Sequence, residues 1–269
     1  MSQEPIYKFP RTLVQATIHA RPSSVNKSPY LVDIQLPDGE ISQAHNPALG
    51  CGGLVTVGAT AYVMASPPES RGLSKYTLLL IQLEDHTIVC VNPQVGNKIA
   101  EQIIARQLVI SNIKTYQEEQ TVGESRFDFA SITTANEQFY IEVKSAPIAD
   151  IVDCMPRDRN KRINQLQPQP PLFTIFPYGN TRKQGLVSPR ALKHAQHLTR
   201  IQQTAEAKTA LLYLSMRPDV DHFQISELDT EYNAAIQVAY DAGVLLRSYA
   251  LRFTPEGEVF IEKELDIHI

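Results

Sequence analysis

Apolar and polar positions alternate with a period of two over much of the first third of the chain. Residues 13–20, 30–36, 40–45, 54–64 and 77–83 each carry such alternation or a short apolar run. Each therefore predicts a β-strand. "PDGE" (37–40) joins two of them, and Asp-Gly suits the positive φ of a hairpin turn. "HNPALGCGG" and "SPPES" read as loops. Five short strands with such connections predict a small all-β barrel or sandwich, with an OB-like barrel among the forms that fit the pattern.

From Asn92 the period lengthens. In "NPQVGNKIAEQIIARQ", Ile99, Ile103 and Ile104 fall on one helical face. A strand-like run over 108–116 follows, then "FDFASITTANEQFYIEVKS" (127–145), two alternating strands around a polar turn. Residues 149–185, rich in Pro, Asn and Gln, read as one long loop. In "SPRALKHAQHLTRIQQTAEAK", Ser188 is the predicted N-cap and Pro189 the first helical residue. Leu192, Ala195, Leu198 and Ile201 form the apolar stripe of that helix. "TALLYLS" reads as a buried strand, and "DTEYNAAIQVAYDAG" as a helix closed by Gly243. "VLLRSYALRF" and residues 258–263 complete the strands. The order α-β-β-β-α-β-α-β over residues 87–269 predicts a mixed sheet covered by helices.

With 269 residues, 43% of them hydrophobic, the chain is long enough for one large domain or two small ones, each with its own core. It contains no run of roughly 18 apolar residues, so no membrane-spanning helix is expected. The opening "MSQEPIYKFPRTLVQ" lacks the apolar core of a signal peptide. Cys51, Cys90 and Cys154 form no CxxC pattern. These features predict an intracellular, cytoplasmic protein with reduced thiols and no zinc site. The net charge of −4 argues against general affinity for nucleic acid, but its distribution is uneven. Between Met155 and Arg200, nine Lys or Arg face only Asp158, a local +8 on a body of −12. A basic segment of this kind can form a phosphate site on an acidic protein.

The 127–145 hairpin holds the candidate chemistry. Residues two apart share a face of a strand, so Tyr140, Glu142 and Lys144 lie together while Ile141 and Val143 face the other way. On the partner strand, Asp128 lies between Phe127 and Phe129 and is expected to meet Glu142 across the hairpin. Paired carboxylates suit a hard divalent cation, Mg²⁺ or Mn²⁺. Such a centre, with Lys144 beside it, could hydrolyse a phosphodiester. The competing interpretation is an ordinary charged hairpin whose E-x-K is a solvated face.

Beyond the hairpin, "GESRFDF" with "FYIEVKS" resembles the signature of the sugar fermentation stimulation protein A (SfsA) family. "YLVDIQLPDGEISQAHNPALG", "VCVNPQVGNKIAEQII" (with Asn92 and Asn97), "SPRALKH" and "ELDTEYNAAIQVAYDAGVLLRSY" extend the resemblance over most of the chain. The resemblance implies two domains: an OB-like module over 1–86, then a restriction-endonuclease-like, PD-(D/E)xK-type α/β domain over 87–269. It also implies DNA binding, metal-dependent nuclease activity and a link to regulation of sugar metabolism. By motif position, Asp128, Glu142 and Lys144 are the catalytic D, E and K. Asp128 and Glu142 are expected to hold the metal, with Glu101 on the preceding helix assisting. The chain departs from the pattern in three places: a longer 149–185 segment with "FPYGN", "HNPALG" in the His loop, and Ala191 in place of a glycine.

Arg190, Lys193 and His194, in the first turns of a helix, are expected to contact phosphate beside the hairpin, with an ordinary solvated helix face the alternative. Arg126, Arg157 and Arg159 are further candidates for nucleic-acid contact, with fixing of the Asp128 carboxylate the alternative for Arg126 and a flexible charged loop the alternative for the "RDRNKR" run. His45 could touch a ligand or brace its turn, and Phe176 and Tyr178 could stack on bases or anchor their segment. The expected function is metal-dependent cleavage of nucleic acid, DNA ahead of RNA, with no membrane partner. A DNA-binding regulatory protein with little turnover is the first rival, and a partner-binding structural protein the second.

Overall fold

The structure, a computed structural model, describes residues 4–48, 51–67, 72, 74–166, 168–178 and 188–269. It divides into two compact units. The first comprises Met1–Val95, Met216–Asp219 and Ala250–Lys263. The second comprises Gly96–Ser215, Val220–Tyr249 and Glu264–Ile269.

The first unit contains β1 (Tyr7–Lys8), β2 (Leu13–Ala20), β3 (Leu31–Gln35), β4 (Ile41–His45), β5 (Thr60–Ala65), β6 (Tyr76–Gln82) and β7 (Ile88–Cys90). Its sheet runs β4-β3-β2-β5-β6-β7. β4 also pairs in parallel with β6, Ala44 opposite Tyr76 and His45 opposite Thr77, so β2 to β6 curl into a closed ring. Apolar side chains fill the ring: Ile18, Val32, Ile34, Ala44, Ala61, Val63, Leu78 and Ile81 are all buried. The "PDGE" hairpin forms as its composition requires, with Gly39 at φ 90°. The strand expected over 54–64 starts only at Thr60. Cys51–Gly53 forms a 3-10 turn, and a second turn follows, closed by Ala59 N–H to the Thr56 carbonyl at 3.1 Å with Gly58 at φ 87°. Burial pushes the Cys51 thiol up to about 11 and the Cys90 thiol up to about 12, so both stay protonated at neutral pH.

The second unit begins in α1 (Gln94–Ala105) and continues through β8 (Ile113–Val122), β9 (Ser125–Thr133), β10 (Gln138–Ala146), β11 (Ala149–Asp150) and α2 (Arg159–Gln165). Then come β12 (Phe173–Phe176), α3 (Pro189–Thr204), β13 (Lys208–Ser215), β14 (Phe223–Ile225), α4 (Thr230–Asp241), β15 (Leu245–Phe253), β16 (Glu258–Glu264) and β17 (Ile267–His268). Its main sheet has the order β15-β13-β10-β9-β8. β8, β9 and β10 form an antiparallel meander, and β10 then pairs in parallel with β13 from Phe139–Lys208 to Ala146–Ser215. The mixed sheet matches the pattern-based expectation. Every β13 residue from Thr209 to Ser215 is buried, as a central strand covered on both faces requires. The end of β15 from Ala250 and β16 as far as Lys263 belong to the first unit, where β1 pairs with β16.

Two expectations fail here. Residues 108–112 are not strand: Leu108 N–H closes the end of α1 on the Ile103 carbonyl at 3.1 Å, and Val109 and Ile110 are buried. The strand instead carries the polar "QEEQ", which has no alternation because β8 is an edge strand largely exposed along its length. Nor is 149–185 one loop. β11 and β12 join β14 and β17 in a second, four-stranded sheet, and α2 lies between them, tied back by Arg159 to Asp150 at 2.7 and 3.0 Å. Strands of two to four residues are too short to show a period. Residues 179–187, including Arg182 and Lys183 and the end of "FPYGN", lie outside the described residues, as do Leu49 and Gly50 of the His loop. Among the described residues, no helix is long and apolar enough to cross a membrane.

Candidate active site

β10 carries the site between two helices. Glu142 and Ser145 are an odd number of positions apart and so point to opposite faces of the strand. His194 of α3 meets Glu142, and Gly96 of α1 lies over Ser145. A Cβ at Gly96 would fall 1.9 Å from Ser145 Oγ. The glycine is what lets α1 approach, and it brings the next residue, Asn97, to the hairpin.

Asp128 is held at both oxygens. Asn97 Nδ2 donates to Oδ1 at 2.8 Å, and Val143 N–H donates to Oδ2 at 2.8 Å. Glu142 is only 3% exposed, which excludes the solvated-face interpretation of the E-x-K strand. Its Oε1 accepts from Lys144 Nζ at 2.5 Å and from His194 Nδ1. Its Oε2 is buried without a hydrogen-bond partner. Burial, and then the Glu142 charge, push the Asp128 carboxyl above its ordinary value, against the pull of the Val143 N–H and the Asn97 amide. Burial also works to raise Glu142, but the His194 hydrogen bond and the Lys144 charge outweigh it and leave that carboxyl lowered. The outcome is one settled carboxylate and one that a nearby cation would relieve.

Two carboxylates with an orphaned oxygen fit a hard cation that keeps several of its own waters, the habit of Mg²⁺. They do not fit an all-protein cage: among the described residues, no group of three or more His, Cys, Asp or Glu is poised around one point. Glu101, half-buried on α1, lies 4.0 Å from Lys98 Nζ and beside the Tyr116 hydroxyl, whose pKa is raised by burial and then by the Glu101 charge.

The basic candidates are distributed rather than convergent. Arg190 is exposed at the start of α3, with no ion-pair partner among the described residues. Lys193 and Arg200 both reach Glu124 in the β8–β9 turn, at 3.1 and 3.2 Å. Arg126 lies 3.5 Å from Glu119, itself in left-handed backbone at φ 57°. Arg157 pairs with Asp158 at 3.6 Å. With Lys161 and Arg162 it lines a 550 Å³ cleft that also presents Asp153, Asp158 and Glu227. His194 lies inward, 6% exposed. Helical spacing puts position 194 on the stripe of Leu198 and Ile201, a signal in the sequence that competes with its place among basic residues. Motif position alone singles out Asn97 in the sequence, and its hold on Asp128 carries no sequence signal. Phe176 is an anchor, its ring centroid 5.5 Å from Tyr232 and 6.2 Å from Tyr213. His45 ends β4, half-buried and paired on both sides.

A family model described as the sugar fermentation stimulation protein RE domain matches residues 94–162 and 186–257. A sugar fermentation stimulation protein homolog from Synechocystis sp. is 30% identical over 240 residues, 86% of this chain and 88% of the relative. One from Rhodospirillum centenum is 26% identical over 254 residues, 93% and 95% of the two chains. Among solved structures, Pyrococcus furiosus SfsA in complex with Ca²⁺ aligns with a TM-score of 0.74 at 18% identity, covering 98% of this chain and 99% of that one.

Proposed function

Because the chain belongs to the sugar fermentation stimulation protein (SfsA) family, we propose that it is a nucleic-acid-binding protein whose second unit is a PD-(D/E)xK-type, divalent-metal-dependent nuclease. The observation that carries this reading is Glu142: a buried carboxylate with one unpartnered oxygen, next to a second carboxylate whose pKa is raised. Burying such a pair costs stability and has no structural return, so the arrangement is best understood as a cation site. Asp128 and Glu142 would hold Mg²⁺ or Mn²⁺. When bound, a cation of this class polarises a phosphodiester and acidifies water. Lys144, 2.5 Å from Glu142, steadies the carboxylate and offers positive charge where a phosphate would gain negative charge. The Ca²⁺ in the Pyrococcus furiosus relative supports a hard-cation site in this fold. The RE description of the matching model supports the nuclease assignment.

In the first unit, the five-stranded ring closed by parallel β4–β6 pairing supports an OB-like barrel, a module that binds extended nucleic acid. DNA is the expected substrate ahead of RNA. The exposed Arg190 at the start of α3 is the proposed phosphate contact with the fewest competing partners. A second reading, a DNA-binding protein with little turnover, draws support from the absence of a third acidic ligand at the carboxylate pair among the described residues. One assay separates the two. Wild type and Asp128→Ala are incubated with single-stranded DNA, duplex DNA and RNA, in Mn²⁺ or in chelator. Cleavage by wild type in Mn²⁺ alone supports the nuclease. Salt-sensitive binding without cleavage supports the binder, and cleavage that persists in the mutant or in chelator removes the metal mechanism.

A further inference from the structure

We infer that His194 is a positioning residue for Glu142: its imidazole and the Lys144 ammonium converge on Oε1, so that Oε2 is kept for a divalent cation shared with Asp128. The inference rests on the reading of Asp128, Glu142 and Lys144 given above, and concerns what sets the Glu142 carboxylate in place.

The sequence places His194 among the basic residues of a helix start, where it would meet phosphate. The structure turns it the other way. The ring is buried and packs edge-on to Phe127, centroids 6.1 Å apart, with Nδ1 against Glu142 Oε1. A carboxylate oxygen only accepts, so Nδ1 is assigned the proton and the donor role. Phe127 is itself fixed, fully buried and stacked on Tyr140 at 5.8 Å. The helix that carries the ring is equally constrained. Pro189 opens α3, Ser188 Oγ accepts from Ala191 N–H at 3.4 Å, and Ser188 N–H donates to Asp229 Oδ2 at 3.2 Å. The other Asp229 oxygen caps α4 by accepting from Tyr232 N–H at 3.0 Å. A single buried carboxylate therefore ties the starts of α3 and α4 together and fixes the direction from which His194 approaches.

The asymmetry at Glu142 is the telling feature. Charge neutralisation alone needs only Lys144, whose ammonium carries three donors and can spread across both carboxylate oxygens. Two donors on Oε1 and none on Oε2 cost a buried orphan oxygen. The arrangement makes sense if the free oxygen has a ligand and the held oxygen sets the orientation. Groups behind a metal-binding side chain commonly act in this way, and their loss costs about 10–100-fold in metal affinity.

The test is Mn²⁺ binding by calorimetry to the full chain, with melting temperature recorded for each variant. His194→Asn keeps a donor at about the reach of Nδ1. His194→Phe keeps a buried ring against Phe127 and removes the donor. The expected result is a loss of about 10–100-fold in Mn²⁺ affinity for His194→Phe, with most of that affinity retained by His194→Asn at a comparable melting temperature. Wild-type affinity in His194→Phe overturns the inference. So does an equal loss in both variants that tracks a lowered melting temperature, which is the mark of a merely structural histidine. If wild type binds no Mn²⁺, or Asp128→Ala binds it as wild type does, the reading of the carboxylate pair itself fails and the inference falls with it.

Discussion

Gly96→Ala tests the packing that brings α1 to the site. Gly96 lies in the first turn of α1, and an added Cβ would sit 1.9 Å from Ser145 Oγ and 3.2 Å from Ser145 Cβ. The hydroxyl can rotate away. The Cβ cannot, so α1 and β10 must separate by a few tenths of an ångström. Overpacking of this kind costs about 1–3 kcal/mol. Replacing a helical glycine by alanine returns about 0.8–1 kcal/mol. The balance is a destabilisation of about 1 kcal/mol, a fall of roughly 2–4 °C in melting temperature for a chain of this size. Asn97 follows Gly96 and holds Asp128 at 2.8 Å, so at the proposed cation site the same displacement should weaken Mn²⁺ binding. Scanning calorimetry of Gly96→Ala, Ser145→Gly and the double variant gives the coupling directly. Alanine should cost less where the Ser145 side chain is gone, by at least about 0.5 kcal/mol. A Gly96→Ala protein that melts higher than wild type by the full helix-propensity gain would refute the reasoning.

Asp128→Asn should raise the melting temperature of the metal-free protein at neutral pH. The Asp128 carboxyl is raised in the folded state, so its contribution to stability is fully present below the unfolded carboxylate pKa and is lost as pH rises through the folded one. The advantage of Asn should therefore vanish in acid, and melts across pH in chelator check both ends. Tyr213→Phe should cost about 1–3 kcal/mol by urea unfolding, because it leaves the buried Tyr232 hydroxyl without its 2.8 Å partner. A neutral effect would mean that Tyr232 finds another acceptor. Arg190→Glu should weaken DNA binding and reduce the slope of log affinity against log salt by about 1, while Mn²⁺ affinity stays as in wild type. An unchanged slope would take Arg190 off the phosphate path.

Much of the architecture can be read where one residue type has one job. Alternation gave β2 its bounds, Leu13–Ala20, and Ser188 with Pro189 marked the start of α3. Gly243, at φ 90° with its N–H on the Tyr240 carbonyl at 2.9 Å, closes α4 as a glycine past a helix end should. The legible features are local. Those that escaped depend on distant partners. The burial of Glu142 depends on His194, 52 residues away, and an E-x-K triplet looks the same whether or not a helix covers it. β8 escaped because an exposed edge strand has no apolar face to alternate with. The small β11-β12-β14-β17 sheet escaped because its strands are shorter than any period. Within the site, the identities of Asp128, Glu142 and Lys144 were legible from the hairpin and the family resemblance. The hold on them by Asn97 and His194 was not, since it arises from how closely α1 and α3 approach β10.

Anomalous diffraction from crystals grown with Mn²⁺ tests the central claim most directly. The account predicts one peak in coordination contact with both carboxylates, about 2.0–2.2 Å from Glu142 Oε2 and from an oxygen of Asp128, and no such peak in Asp128→Ala crystals. A wild-type structure at saturating Mn²⁺ with no peak at that pair, or with its peak bound elsewhere, would contradict it.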